Sequence, residues 1–334
     1  MRQEQFVARH QHEWRQLEHW LQQQGRRRNA AAGDAATDAG VESLAAADIP
    51  QRYRRLCQQL ALARRRGYSP QLLEHLQQLM QQGHALLYRA PPPRWRRAAE
   101  FLLAGFPRLV RAHGAAMALA SALFALPLVA IFGALQLQPE LVHQLLDPDQ
   151  VQQVQRMYAP RAERLGRDSG GDWAMFGVYI LNNISIGLRT FASGLLAGIG
   201  TLLVLVHNGI TIGAVAGHLQ QAGAGDPFWR FVAGHAPLEL TAIVIAGGAG
   251  LQLGHAVIAP GRRRRRDALV HAGVDGARLC LGVAVMLLLA AFVEAFWSSI
   301  GSIPAWGKYT VSAVLWLLVL GWLWRGGRGG GDAA

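Results

Sequence analysis

The chain has 334 residues, 51% of them hydrophobic, yet its mean hydropathy is only +0.14 and its formal net charge is +12. Such a mixture excludes an even spread of apolar residues and requires their segregation. Two cysteines, Cys57 and Cys280, exclude a disulfide framework and fit no zinc spacing. The polar part comes first: residues 1–110 are rich in Arg and Gln, and the first 111 hold eighteen Arg against nine acidic residues. Lys308 is the single lysine beside 32 arginines.

The opening stretch, MRQEQFVARHQHEW, has no apolar h-region, so the first third is expected in the cytoplasm of a bacterium. Phe6, Val7, His10, Trp14, Leu17 and Leu21 recur at helical spacing over 3–24, with Gly25 as the expected stop. Residues 26–40 read as a linker. A second helix over 42–66 gathers Leu44, Tyr53, Leu56, Leu60 and Ala63 and closes at Gly67; Ser69-Pro70 opens a third to Leu87. This defines a cytoplasmic basic helical domain over 1–93. Pro91-Pro92-Pro93 breaks it from a juxtamembrane amphipathic helix over 94–110. The transmembrane helical domain is 111–325, and 326–334 is expected to be a disordered tail.

Apolar runs near 112–137, 194–219, 237–260, 277–298 and 309–324 are long enough to span, and 173–188 is a shorter, more polar candidate. Six crossings place Arg108, Arg111, Arg189, Arg262 to Arg266, Arg325 and Arg328 on one side, the cytoplasmic one; without 173–188 the five-arginine run lands outside. That segment can also be re-entrant where protein buries its backbone. The fold class is therefore all-α, a polytopic helical protein of the bacterial inner membrane.

The stretch Phe231 to Pro260 stands out. An ionisable residue in a span costs about 2.5–3.5 kcal/mol on the insertion scale, and this one opens with His235 and Glu239 around Pro237, which is expected in its first turn. Under six crossings Asn182, Asn183, His207, Asn208, His235, Glu239 and Glu294 fall in the middle or outer half of the membrane. They could share a polar pocket, with Arg189 as a deeper counter-charge. The plain alternatives are hydrogen-bond glue for Asn182 and Asn183, a helix break at Asn208-Gly209, and snorkelling for His235, Glu239 and Glu294. Gly194, Gly198, Gly209, Gly213, Gly247, Gly250 and Gly254 read as helix-packing positions. A proton or solute path would use Glu239 and Glu294. A metal site would use His235 and Glu239, but Pro237 between them weakens the geometry and no third ligand of suitable spacing is evident, so no metal or other cofactor is expected. Nucleophilic catalysis has no identifiable base, and no enzyme is expected. The basic N-terminal part suits anionic lipid or a protein partner; no nucleic-acid motif accompanies it.

The blocks NNISIGLRTFASGLLAGIGT (182–201), HNGITIGAVAGHL (207–219), HAPLELTAIVIAGGAGLQLGHAVIAPG (235–261) and AAFVEAFW (290–297) resemble the stage II sporulation protein M family of integral membrane proteins. Members often have His-Gly where this chain has His235-Ala236. The resemblance implies a membrane scaffold without chemistry of its own, holding peptidoglycan hydrolases or other envelope proteins in a complex. A channel or transporter for an ion or small solute is the alternative. The glycine-rich spans permit packing within one chain or in a homo-oligomer.

Overall fold

A computed structural model describes residues 2–29, 48–87, 94–159, 164–167 and 171–328. Among these residues the chain is helical without a named strand. It divides into two compact units, residues 1–97 with 329–334, and residues 98–328.

In the first unit α1 (Gln3–Asn29), α2 (Ile49–Arg65) and α3 (Pro70–Leu87) bury one shared core. Phe6, Trp14, Leu17 and Leu21 meet Leu56, Leu60 and Ala63 of α2 and Leu76 and Leu79 of α3, as their helical spacing predicts. Trp14 Nε1 donates to the buried Gln59 Oε1 at 2.6 Å. Gly67 does close α2: at φ +66° it lets Gly67 N reach Arg64 O and Tyr68 N reach Ala63 O, both at 3.2 Å, a Schellman ending. Ser69 does not act alone at the next helix start, because Gln3 holds both its hydroxyl and its N–H at 2.9 Å. Gly25 does not stop α1, which runs on to Asn29; one glycine costs a helix only about 1 kcal/mol. The described second helix begins at Ile49, and the part expected from 42 to 47 lies outside the described residues. Leu44, the linker beyond Asn29 and the triple proline lie outside the described residues.

The boundary between the units falls within α4 (Arg94–Glu100). A π-helical turn, Phe101–Gly105, then leads into α5 (Phe106–Ala112) and α6 (Gly114–Leu137). After short helices α7 (Val142–Leu145) and α8 (Pro148–Met157) come α9 (Asp172–Ala192), α10 (Ile199–Gln221), α11 (Gly225–Ile258), α12 (Arg265–Val293) and α13 (Ala305–Arg325). A second π-turn, Glu294–Ser298, extends α12.

Five helices, α6, α10, α11, α12 with its π-turn, and α13, are long and apolar enough to cross a membrane. The protein is therefore a multi-pass membrane protein. α9 is not among them, since Asp172, Asn182, Asn183 and Arg189 lower its hydropathy. It is nevertheless a continuous helix of 21 residues, roughly 31 Å at the helical rise. Its Phe176 packs on Phe292 and Phe296 at the far end of α12, while a Cβ on Gly276, in the first half of α12, would meet Phe191. α9 thus runs the depth of the bundle instead of folding back. Arg111 sits at the same end as Gly276 and donates to Leu323 O and Gly326 O, capping α13. The tail expected from residue 326 is thereby held at its start, and 329–334 lie outside the described residues.

Small residues set the helix spacing. A Cβ on Gly194, in the turn after α9, would lie 2.1 Å from Gly250 O, and one on Gly254 would lie 2.3 Å from Gly198 N. Gly209 and Gly213 face the Phe124 and Leu128 carbonyls of α6 equally closely, and Gly247 faces Leu205. Side chains there would force the backbones apart. Pro237 lies well inside α11, which starts twelve residues earlier at Gly225. The Asp226-Pro227 pair supplies the acidic first turn and early proline at that start, so Pro237 is not in the first turn.

Candidate functional site

Glu294 opens the π-turn, which advances the chain by one residue relative to an α-helical phase and turns Glu294 and Ser298 inward together. Both are buried. Opposite them on α11, His235 and Glu239 share a face at i and i+4, His235 Nε2 standing 3.8 Å from Glu239 Oε2. One donor atom from each of His235, Glu239 and Glu294 lies within 4.8 Å of the other two. Pro237 does not disturb this pair, because α11 is continuous through it. Glu294 is the third potential ligand for which the sequence spacing offered no candidate.

The surroundings orient these groups. Ser298 Oγ lies 3.2 Å from His235 Nδ1, and Phe231 packs edge-on against the imidazole. From α13, Lys308, fully buried, donates to Ser298 O at 2.6 Å with its ammonium 5.8 Å from the Trp297 ring. The Asn183 side chain of α9 lies beside Glu294. It closes no good hydrogen bond there: Asn183 Nδ2 and Glu294 Oε2 are both buried without a partner. Four helices therefore converge on one polar knot.

Segments outside the helices cover it. Leu165 N donates to Ser299 O at 2.9 Å, Tyr179 Oη donates to Gly166 O at 3.3 Å, and Arg164 and Arg167 both pair with Asp172. Arg230 donates to Gly301 O and Ile303 O at 2.7 and 2.6 Å. Tyr158, packed on Phe228 and Phe231, is buried, which together with nearby Glu294 raises its hydroxyl pKa far above the usual tyrosine range.

Of the eight polar residues expected around a shared pocket, Asn183, His235, Glu239 and Glu294 come together, while His207 of α10 lies exposed. Asn182 is exposed and touches the group only by donating to Asn183 Oδ1 at 3.2 Å. Arg189 is six positions beyond Asn183, about 9 Å along and roughly 240° around the helix, and lies exposed. Asn208 donates back to Val204 O of its own helix at 2.8 Å, and α10 passes Asn208-Gly209 unbroken. Ser298, Tyr158 and Tyr179 carry no signal of this placement in the sequence. Lys308 alone carried a signal, as the single lysine at the start of an apolar run.

At the opposite end, α6, α11 and α12 border a groove of about 830 Å³ lined by His113, His255, Arg262, Arg263, His271 and Asp275. Burial lowers the pKa of His113, against the opposing pull of Asp275 at 3.8 Å.

No curated protein and no solved structure matches the chain. Residues 4–89, the three helices of the first unit, match a family described as a domain of unknown function, DUF8413. Residues 115–299 match the family described as stage II sporulation protein M, over a range that begins in α6 and ends one residue past the π-turn carrying Glu294 and Ser298. The chain therefore belongs to the stage II sporulation protein M family.

Proposed function

We propose that this protein is a scaffold or subunit of a cell-envelope complex in the bacterial cytoplasmic membrane, with the three-helix unit in the cytoplasm and envelope proteins, among them peptidoglycan hydrolases, as partners. The observation that carries the reading is the enclosure of the polar knot. His235 is 6% and Glu294 9% exposed, and the 164–167 and 299–303 segments are tied down over that end by named hydrogen bonds. Groups so enclosed join helices; a conduit needs them along an open path. Partners have surface to use, since only 11% of the α13 span is buried in the protein against 61% of α11. Arginine supports this orientation, with Arg108, Arg111, Arg262 to Arg266, Arg325 and Arg328 at the end opposite the knot.

Two measurements test it together. A photo-crosslinking residue at Leu317 or Leu318 of α13 is expected to give a discrete adduct in native membranes with an envelope protein that carries a peptidoglycan-cleaving or peptidoglycan-binding domain. Purified protein in liposomes loaded with a pH-sensitive dye is expected to add no proton flux to that of empty vesicles. Flux that disappears in the Glu239→Gln, Glu294→Gln double variant would overturn the scaffold in favour of a transporter.

A further inference from the structure

We propose that His235, Glu239 and Glu294 bind a divalent first-row transition-metal cation, zinc foremost, that clasps α11 to the end of α12. Three donor atoms from these residues already converge within 4.8 Å. A cation with ligands at about 2.1 Å holds neighbouring donors roughly 3–3.5 Å apart, so small side-chain rotations complete the site. The His235–Glu239 pair, at 3.8 Å, is nearly there.

Charge makes the stronger case. Among the described residues neither Glu239 nor Glu294 has an Arg or Lys within ion-pair distance; His235 is the one basic group beside them. Lys308 is near, but its ammonium is directed to the Ser298 carbonyl. Holding Glu294, buried, and Glu239, half-buried, ionised and facing each other costs several kcal/mol apiece unless a proton or a cation neutralises them. A divalent ion neutralises both. Glu294 Oε2, buried and without any hydrogen-bond partner, marks where it would sit.

The outer groups suit a ligand set. In the tautomer that donates Nδ1–H to Ser298 Oγ, His235 presents its Nε2 lone pair to a cation held between it and the carboxylates. Metal-bound histidines usually have such a partner on the second ring nitrogen. One imidazole and two carboxylates, with no sulfur, select zinc, iron or manganese over copper(I), and the imidazole disfavours magnesium and calcium. The fourth position is left for water.

The test uses the full chain in detergent, stripped with a chelator and titrated with Co²⁺. Visible cobalt absorption saturating at one ion per chain and displaced by Zn²⁺ is expected. X-ray absorption of the zinc form should show a shell of oxygens with a single imidazole. His235→Gln and Glu294→Gln are expected to abolish the uptake, and Ser298→Ala to weaken it about 10–100-fold at unchanged stoichiometry. Folded wild-type protein that takes up none of cobalt, zinc or manganese overturns the site. So does metal bound equally by the Glu294→Gln variant, or a shell with several imidazoles, which would place the ion on His113, His255 and His271. The wild-type arms stand even if a variant fails to fold, and none depends on the scaffold reading.

Discussion

Gly194→Ala is expected to destabilise the membrane unit by about 3 kcal/mol or more, the upper end of the range for overpacking. The added Cβ would stand 2.1 Å from Gly250 O and 2.7 Å from Gly250 C, backbone atoms that no rotamer change can move. Retreat is closed on the far side as well, because Gly250 packs its own Cα face on Thr190 O and Thr201 Oγ1. α9 and α11 must separate, and the knot at their other end must loosen with them. The internal control is Gly321→Ala in α13, where nothing lies within 4 Å of the new atom. There the helix gains about 1 kcal/mol of propensity. Thermal unfolding in detergent, followed by circular dichroism, should order the three proteins with Gly194→Ala lowest and Gly321→Ala at or above wild type. Equal melting of the two variants would mean that α9 and α11 are not in contact at Gly194.

Trp14→Ala should cost the first unit about 3–5 kcal/mol, as large aromatic truncations in cores do. Trp14 is 4% exposed and its indole N–H is the donor that satisfies buried Gln59 Oε1. A domain of this size has only about 5–15 kcal/mol to lose, so most of its stability goes. Limited proteolysis of the full chain should then cut within α2 and α3 while leaving fragments from α6 to α13 intact. Trp14→Phe, which keeps the ring and drops the donor, should show a smaller change of about 1–3 kcal/mol. A protease pattern unchanged in Trp14→Ala would refute the three-helix core.

Most of the architecture was legible because it rests on local rules. Helical spacing picks out which face of α1 and α2 is buried, and a glycine at positive φ closes α2. The errors have physical causes of the same kind. Gly25 weakens a helix without ending it, and Pro237 sits mid-helix because Asp226 and Pro227 provide an equally good start upstream. The site was half legible. His235 and Glu239 advertise themselves by chemistry that is costly in a membrane, and helical geometry pairs them. Glu294 is 55 positions away, and its inward phase depends on a π-turn that no residue pattern announces. Arg189 and Asn208 sat at a plausible depth, but depth says nothing of azimuth, and their side chains turn elsewhere.

The single lysine has a practical consequence. With its amine buried against the Ser298 carbonyl, the folded membrane unit offers an acylating reagent no side-chain amine. Lys308 can be modified only when α13 lifts from the π-turn. Its acylation rate is thus a clock for local opening of that one corner, distinct from global unfolding. The chain carries, by composition, its own site-specific probe of whether α13 is seated on the π-turn.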